Sequence, residues 1–388
     1  MKSSTIIRFL LPLIILTGCA TKVEVNEQTF VFAMYINKGK QPGNVEVTIS
    51  APLPNRLMSG QQAGSGSGGD PYAMVSKDSA TIQDALHLIQ KDLSRRLDFS
   101  HTRVLVLGRS YAEDGIEDLM DWFEREPTID FRCYLMVAPG DAKQIARLTP
   151  IFEQMPSEVL IKFAEHHNMV ATTARDILYA SKANQGYALT YLSAGKKPLV
   201  ADPAKKDDWA GVQGTALFQG HKLRATLPLK ESMAVSWALK ELRDALYTVS
   251  WDDGKNKGKA SLLLINIRSQ KKVKMTPDGP VFTVMLKGRA DIIYKKDTHL
   301  PDSAAINKMI ERELNDQVST QMNRALRTSQ RAGADILQLG MVLDWHYPDA
   351  WHKLRSRWED FYRNEAEIQV STHITIRNLG ASFNAKSE

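Results

Sequence analysis

The sequence predicts a mixed α+β fold built from more than one domain, and three observations lead there. Stretches with period-two or continuous apolar character, such as residues 45–49 and 104–107, are interleaved with stretches of helical period, such as residues 82–93 and 306–325. The two kinds do not follow a strict strand–helix repeat, so sheets of mixed direction packed with helices are expected. The chain of 388 residues is also longer than one core commonly holds.

In chain order, Lys2 and Arg8 precede an apolar run over residues 9–16 that is too short to span a bilayer, the layout of a processed export signal over residues 1–18. Its end, Leu16-Thr17-Gly18-Cys19, resembles the lipobox of bacterial lipoproteins. That resemblance implies a diacylglyceryl group on the Cys19 thiol and Cys19 as the first mature residue. Two acyl chains, at about 0.8 kcal/mol per buried CH₂, anchor far more firmly than one. The competing reading is an ordinary secretory signal with an incidental cysteine.

An N-terminal mixed α/β domain is expected over residues 19–200. Residues 30–36 and 45–49 read as a hairpin, followed by a flexible Gly/Ser loop over residues 59–70. The GxGxxG spacing of Gly64, Gly66 and Gly69 carries no weight, since no strand leads in and no helix follows. Thr81 with Asp84 caps a helix whose core stripe is Ile82, Ala85, Leu86, Ile89 and Leu93. Residues 103–138 read as strand, helix and parallel strand, with a capping box at Ser110 and Glu113 and a stripe at Ile116, Leu119, Met120 and Phe123. A helical stretch covers residues 141–183, and the Lys-, Pro- and Asp-rich residues 196–208 read as a linker.

A C-terminal α+β domain is expected over residues 210–385. Its elements are a hairpin around Gln219-Gly220-His221, a helix over residues 231–247, and strands at 262–267 and 281–294 separated by a basic turn region. A long helix over residues 303–328 follows, with Ile306, Met309, Ile310, Leu314, Val318, Met322 and Ala325 inward, and the chain ends on a strand at Ile368, Val370, Ile374 and Ile376.

Composition narrows the function. The net charge of +6 is dispersed, and no basic stripe with interleaved aromatics points to nucleic acid. With Cys19 lipidated, Cys133 is left alone, which excludes an intramolecular disulfide; its strand-like setting reads as a buried thiol. HExxH, GxSxG, P-loop and CxxC patterns are all missing. His166 and His167 diverge by about 100° on a helix and cannot easily share a metal. His101 reads as a structural residue at a strand entrance, and Glu113, Asp114, Glu117, Asp118 and Asp121 as a solvated helix face. No catalytic residue, metal or cofactor is expected. Trp345, Trp351 and Trp358 form an aromatic patch that either packs on the C-terminal sheet or, at Trp351 and Trp358, meets a partner protein.

Three segments resemble the Ger(x)C family, the lipoprotein C subunits of spore nutrient germinant receptors. The first runs from Ser94-Arg95-Arg96-Leu97 through Val104-Leu105-Val106-Leu107-Gly108 to Arg125-Glu126-Pro127. The second is Gly214-Thr215-Ala216-Leu217-Phe218 with Lys222-Leu223 and Glu231-Ser232. The third is Gly333-Ala334-Asp335-Ile336-Leu337-Gln338-Leu339-Gly340 with Trp351, Trp358, Phe361 and an Ile376-Arg377 ending before Gly380. Ala20-Thr21 depart from the family's usual start, whereas Val23-Glu24-Val25-Asn26-Glu27 matches it. The resemblance implies a non-enzymatic subunit on the outer face of the spore inner membrane, working with integral-membrane A and B subunits. A solute-binding lipoprotein delivering a small ligand to a transporter is the alternative, and would need two similar lobes around a polar cleft. A surface hydrolase ranks third for want of a nameable site.

Overall fold

The computed structural model describes residues 24–57, 70–167, 169–198, 206–252, 257–297 and 303–378. The export signal, Cys19, nearly all of the Gly/Ser loop and Gly380 lie outside them. The expected α+β class is what the chain adopts.

Eight strands form the first sheet, in the spatial order β10-β9-β8-β7-β6-β2-β3-β4. They are β2 (Ala33–Lys38), β3 (Val45–Pro52), β4 (Tyr72–Ser79), β6 (Val104–Leu107), β7 (Tyr134–Val137), β8 (Tyr187–Pro198), β9 (Lys206–Gln219) and β10 (Lys222–Pro228). A small pair, β1 (Gln28–Phe30) and β5 (Arg96–Asp98), lies apart. The four central strands run parallel, and an antiparallel hairpin extends the sheet on each side. Parallel strands are covered on both faces. Accordingly Met34, Ile36, Leu105 and Leu107 face one core with helix Ile82–Lys91, while Ala33, Tyr35, Val104 and Val106 face another with helix Pro156–Glu165. That explains the unbroken apolar runs of β2 and β6.

The second sheet has the order β11-β12-β13-β14, with β11 (Ala245–Asp252), β12 (Lys257–Thr276), β13 (Gly279–Asp297) and β14 (Glu367–Asn378). Its last pair is parallel because helices intervene between β13 and β14. Helix Ser303–Ala332 covers one face, burying Ile306, Ile310, Leu314, Val318, Met322 and Ala325 as expected, with Met309 partly buried. No helix among the described residues is long and apolar enough to cross a membrane.

Several local expectations are corrected. Residues 109–125 form two helices, Arg109–Asp114 and Glu117–Arg125, because Gly115 takes φ 132° between them. The capping box there does not form: Gly108 is the N-cap, and Glu113 accepts from Arg109 Nε at 2.8 Å. Thr81, in contrast, accepts from the Asp84 N–H at 3.0 Å. The helix expected to reach residue 247 stops at Ala238, and Ala245, Tyr247, Val249 and Trp251 alternate inward along β11. The basic turn region is mostly strand: β12 and β13 pair from Gly258–Asp297 to Thr276–Gly279 around Pro277-Asp278. The described parts of the expected linker, residues 196–198 and 206–208, are the paired ends of β8 and β9, with Lys196 opposite Asp208 and Lys197 opposite Asp207. Lys197 Nζ also sits 3.4 Å from the centroid of the Trp209 ring, a cation–π contact.

Candidate functional site

Residues weighed for chemistry are engaged structurally. Cys133 is buried, and burial pushes its thiol well above the ordinary range, so it is no nucleophile. His101 lies against Phe30 and Phe32, with ring centroids at 4.6 and 6.1 Å. His166 ends helix Pro156–Glu165, and His167 Nδ1 is 3.5 Å from Glu241 Oε2. Burial holds the Glu241 carboxyl above its usual range, and His167 opposes that. In the acidic string, Asp114 pairs with Lys38, Asp121 with Arg125, and Asp118 accepts from Tyr111 at 2.6 Å. Among the described residues no cluster of His, Cys, Asp or Glu could hold a metal.

The most constrained polar site lies where the two sheets meet, and it is built on residues 333–340. The long helix ends with Gly333 at φ 67°, whose N–H donates to Gln330 at 2.8 Å while the Ala334 N–H donates to Ser329 at 3.0 Å. This is the left-handed glycine cap that stops a helix and satisfies its last carbonyls. Two residues on, Asp335 lies fully in the core. There Asp335 Oδ2 accepts from the Gly340 N–H at 2.9 Å, holding the start of helix Leu339–His346, and from Trp358 Nε1 at 3.2 Å. Lys271 of β12 is also largely buried and donates to the Leu337 carbonyl at 2.6 Å.

Burial pushes the Asp335 carboxyl above the usual carboxylate range, opposed by the Leu339 and Gly340 N–H groups and the Lys271 charge. Burial likewise lowers Lys271, opposed by Asp335. Each therefore makes the other's charged form tolerable. Ser329 Oγ is 2.7 Å from Tyr362 Oη and also donates to the Ala334 carbonyl, while Asp335 Oδ1 is buried without a hydrogen-bond partner.

The first sheet reaches this site through Gln185 and Gly186. A Cβ on Gly186 would stand 2.8 Å from the Asp335 nitrogen and 2.9 Å from the Phe218 oxygen. One on Gly340 would stand 2.6 Å from Gln185 Nε2 and 2.8 Å from Trp351 Cζ3. Gly186 thus lets the chain entering β8 approach the backbone of residues 334–335, Gly340 makes room for the Gln185 and Trp351 side chains, and Ala188, Leu217 and Leu227 of the first sheet share a core with Trp237, Phe282 and Trp358.

Of the aromatic patch, Trp358 is 1% exposed and packs on Phe282 at 6.1 Å, while Trp351 is half-buried, 5.2 Å edge-on to Trp358. Trp345 stands out at 73% exposed. The sequence reading quoted Asp335 only within a motif and took Lys271 for part of a turn. A polar residue two positions after a glycine helix cap and just before an apolar helix is the pattern that marks Asp335. Nothing local marks Lys271. The arrangement is a packed polar joint, and the two sheets that meet there differ in size, strand order and direction.

Comparison with known proteins agrees with this architecture. Residues 21–194 match the model described as "Spore germination protein N-terminal domain", and residues 213–380 the one described as "Spore germination B3/ GerAC like, C-terminal". Spore germination protein KC of Bacillus subtilis (strain 168) is 23% identical over 97% of this chain and 95% of its own. Spore germination protein A3 of the same organism is 21% identical over 95% of each chain. The crystal structure of the GerBC protein superposes with a TM-score of 0.55 and 15% identity, covering 90% of this chain and 98% of that one, a likeness of fold. With both of its halves matched in order, the chain belongs to the GerAC family of spore germination proteins, a non-enzymatic family.

Proposed function

We propose that this protein is the lipid-anchored C subunit of a nutrient germinant receptor, required for the receptor's assembly or signalling. The observation that carries the reading is the ordered match of both halves to the GerAC family. Leu16-Thr17-Gly18-Cys19 supports the anchor: a diacylglyceryl group on Cys19 holds the protein at the outer face of the spore inner membrane. Integral-membrane A and B subunits are its partners, as the relation to proteins KC and A3 suggests. The two domains, expected over residues 19–200 and 210–385, meet around Asp335, and β9 and β10 shift their boundary because they complete the first sheet. A partner contact in the aromatic patch would use the exposed rim of Trp351, with Trp358 supporting it from beneath.

The test is germination of spores carrying Cys19→Ala in a strain left with this one receptor. Loss of the nutrient response with calcium dipicolinate germination intact is the expected outcome. An unchanged nutrient response would remove the anchor from the mechanism, and an unchanged response on deletion of the whole gene would remove the receptor role.

A further inference from the structure

The last three turns of helix Ser303–Ala332 carry Arg324, Arg327 and Arg331, spaced by three and four and so set in a row on one face. Arg363, from the adjoining helix Trp358–Asn364, adds a fourth guanidinium. With Glu231, Thr328 and Gln330 they line a cleft of about 550 Å³.

Part of this cleft is preset. Arg363 Nη2 donates to Glu359 Oε1 at 2.9 Å and lies over Gly333, where a Cβ would meet it at 2.5 Å. Arg331 Nη2 donates to Thr328 Oγ1 at 3.3 Å. Gln330 Nε2 donates to the Tyr362 and Ala366 carbonyls at 3.3 and 2.9 Å, which fixes the floor. Arg324 and Arg327 have no carboxylate partner among the described residues.

The row carries a cost. Arg324 with Arg327, and Arg327 with Arg331, are like-charged neighbours that oppose the helix. The helix dipole compensates Arg331 in the last turn but has faded at Arg324, two turns back. Guanidiniums held in a recess against that cost match an anion from outside the chain, which they can grip two bonds at a time.

We infer that this cleft binds an acidic segment of another protein, whose carboxylates pair with Arg324, Arg327 and Arg331. The row extends about 10 Å at 1.5 Å per residue, the span of about three residues of extended chain. A single phosphate needs guanidiniums converging on one point, whereas these stand in line. A bilayer surface is disfavoured by the recess and by Glu231 and Glu359 beside it. The inference is independent of the receptor reading.

The test is a titration of the full chain, in neutral detergent micelles, with a fluorescent poly-glutamate peptide followed by anisotropy. Saturable, salt-sensitive binding is expected, with none for the poly-glutamine counterpart. Arg324→Gln combined with Arg327→Gln is expected to weaken binding about tenfold or more, and Arg327→Lys less, because an ammonium keeps the charge and loses the fork. All three substitutions are at exposed positions, so circular dichroism should be unchanged. Absence of peptide binding, or equal binding by the double variant, overturns the inference. Displacement of the peptide by inorganic phosphate at comparable concentration overturns it in favour of a single-anion site. If the double variant loses only a preference for phosphatidylglycerol over phosphatidylcholine nanodiscs, a membrane surface is the occupant instead.

Discussion

The eight-stranded and the four-stranded sheets solve the same burial problem differently. In the first, consecutive residues of a central strand such as Leu105 and Val106 are both buried, because helices cover both faces. In the second, burial alternates: Ala245, Tyr247, Val249 and Trp251 point to the long helix, while Leu246, 57% exposed, and Ile293 lie on the face that no helix of the described residues covers. Parallel strands need crossover helices and are thereby covered, whereas hairpins need none and leave a face free. The same apolar residue is therefore worth several kcal/mol in one sheet and close to nothing on the open side of the other.

The largest expected effect is at the joint between them. Asp335→Ala leaves the Gly340 N–H and the Trp358 indole N–H without their acceptor and Lys271 without a counter-charge. A loss of about 2–5 kcal/mol is expected, the cost of leaving two buried donors without an acceptor. Urea unfolding should show a single transition moved to lower concentration. Two separated transitions would instead mean that the sheets are independent units and that the comparison concerns two proteins in one chain.

Next comes the comparison itself. Leu105→Ala and Leu264→Ala should each cost about 2–5 kcal/mol, and Leu246→Ala should stay within about 0.5 kcal/mol. These three are read as shifts in urea midpoint at constant slope. A cost at Leu246 equal to that at Leu264 would show that the open face is covered in the protein as purified.

The smallest effect concerns pH. His221, in the β9–β10 turn with φ 59°, places Nε2 2.6 Å from Ser181 Oγ, and burial lowers its pKa below the usual 6.5. The unfolded chain then binds the proton more readily than the folded one. The resulting loss of stability is absent above about pH 6.5 and grows as the pH falls below it. His221→Asn, which tolerates the positive φ, should flatten stability against pH in that window. An unaltered slope would assign the acid sensitivity to other groups.

Legibility in the sequence followed the range of the interactions. The Thr81 cap, the β9–β10 hairpin and the inward stripe of the long helix are set by neighbours within a few residues, and the structure keeps all three. The capping box at Ser110 failed because Gly108 is the N-cap, which puts Ser110 inside the helix, and Arg109 claims Glu113. The Lys- and Asp-rich residues near 200 looked like a linker because their pairing partner lies across a hairpin and contributes no hydrophobic pattern. The joint was hardest to read: Asp335, Lys271, Gln185 and Gly186 are distant in sequence and polar or small.

By itself, the sequence determined most of the helices and strands, the mixed class, the likeness to the spore germination family and the expectation of a lipid anchor at Cys19. Those follow from local periodicity, capping and short motifs, which chain neighbours carry. Only the tertiary structure decided that β8, β9 and β10 complete the first sheet, that Trp358 lies inside, and that a buried carboxylate stands where the two sheets meet. Strand order and the tolerance of a buried charge depend on residues far apart in the chain, and folding alone brings those together.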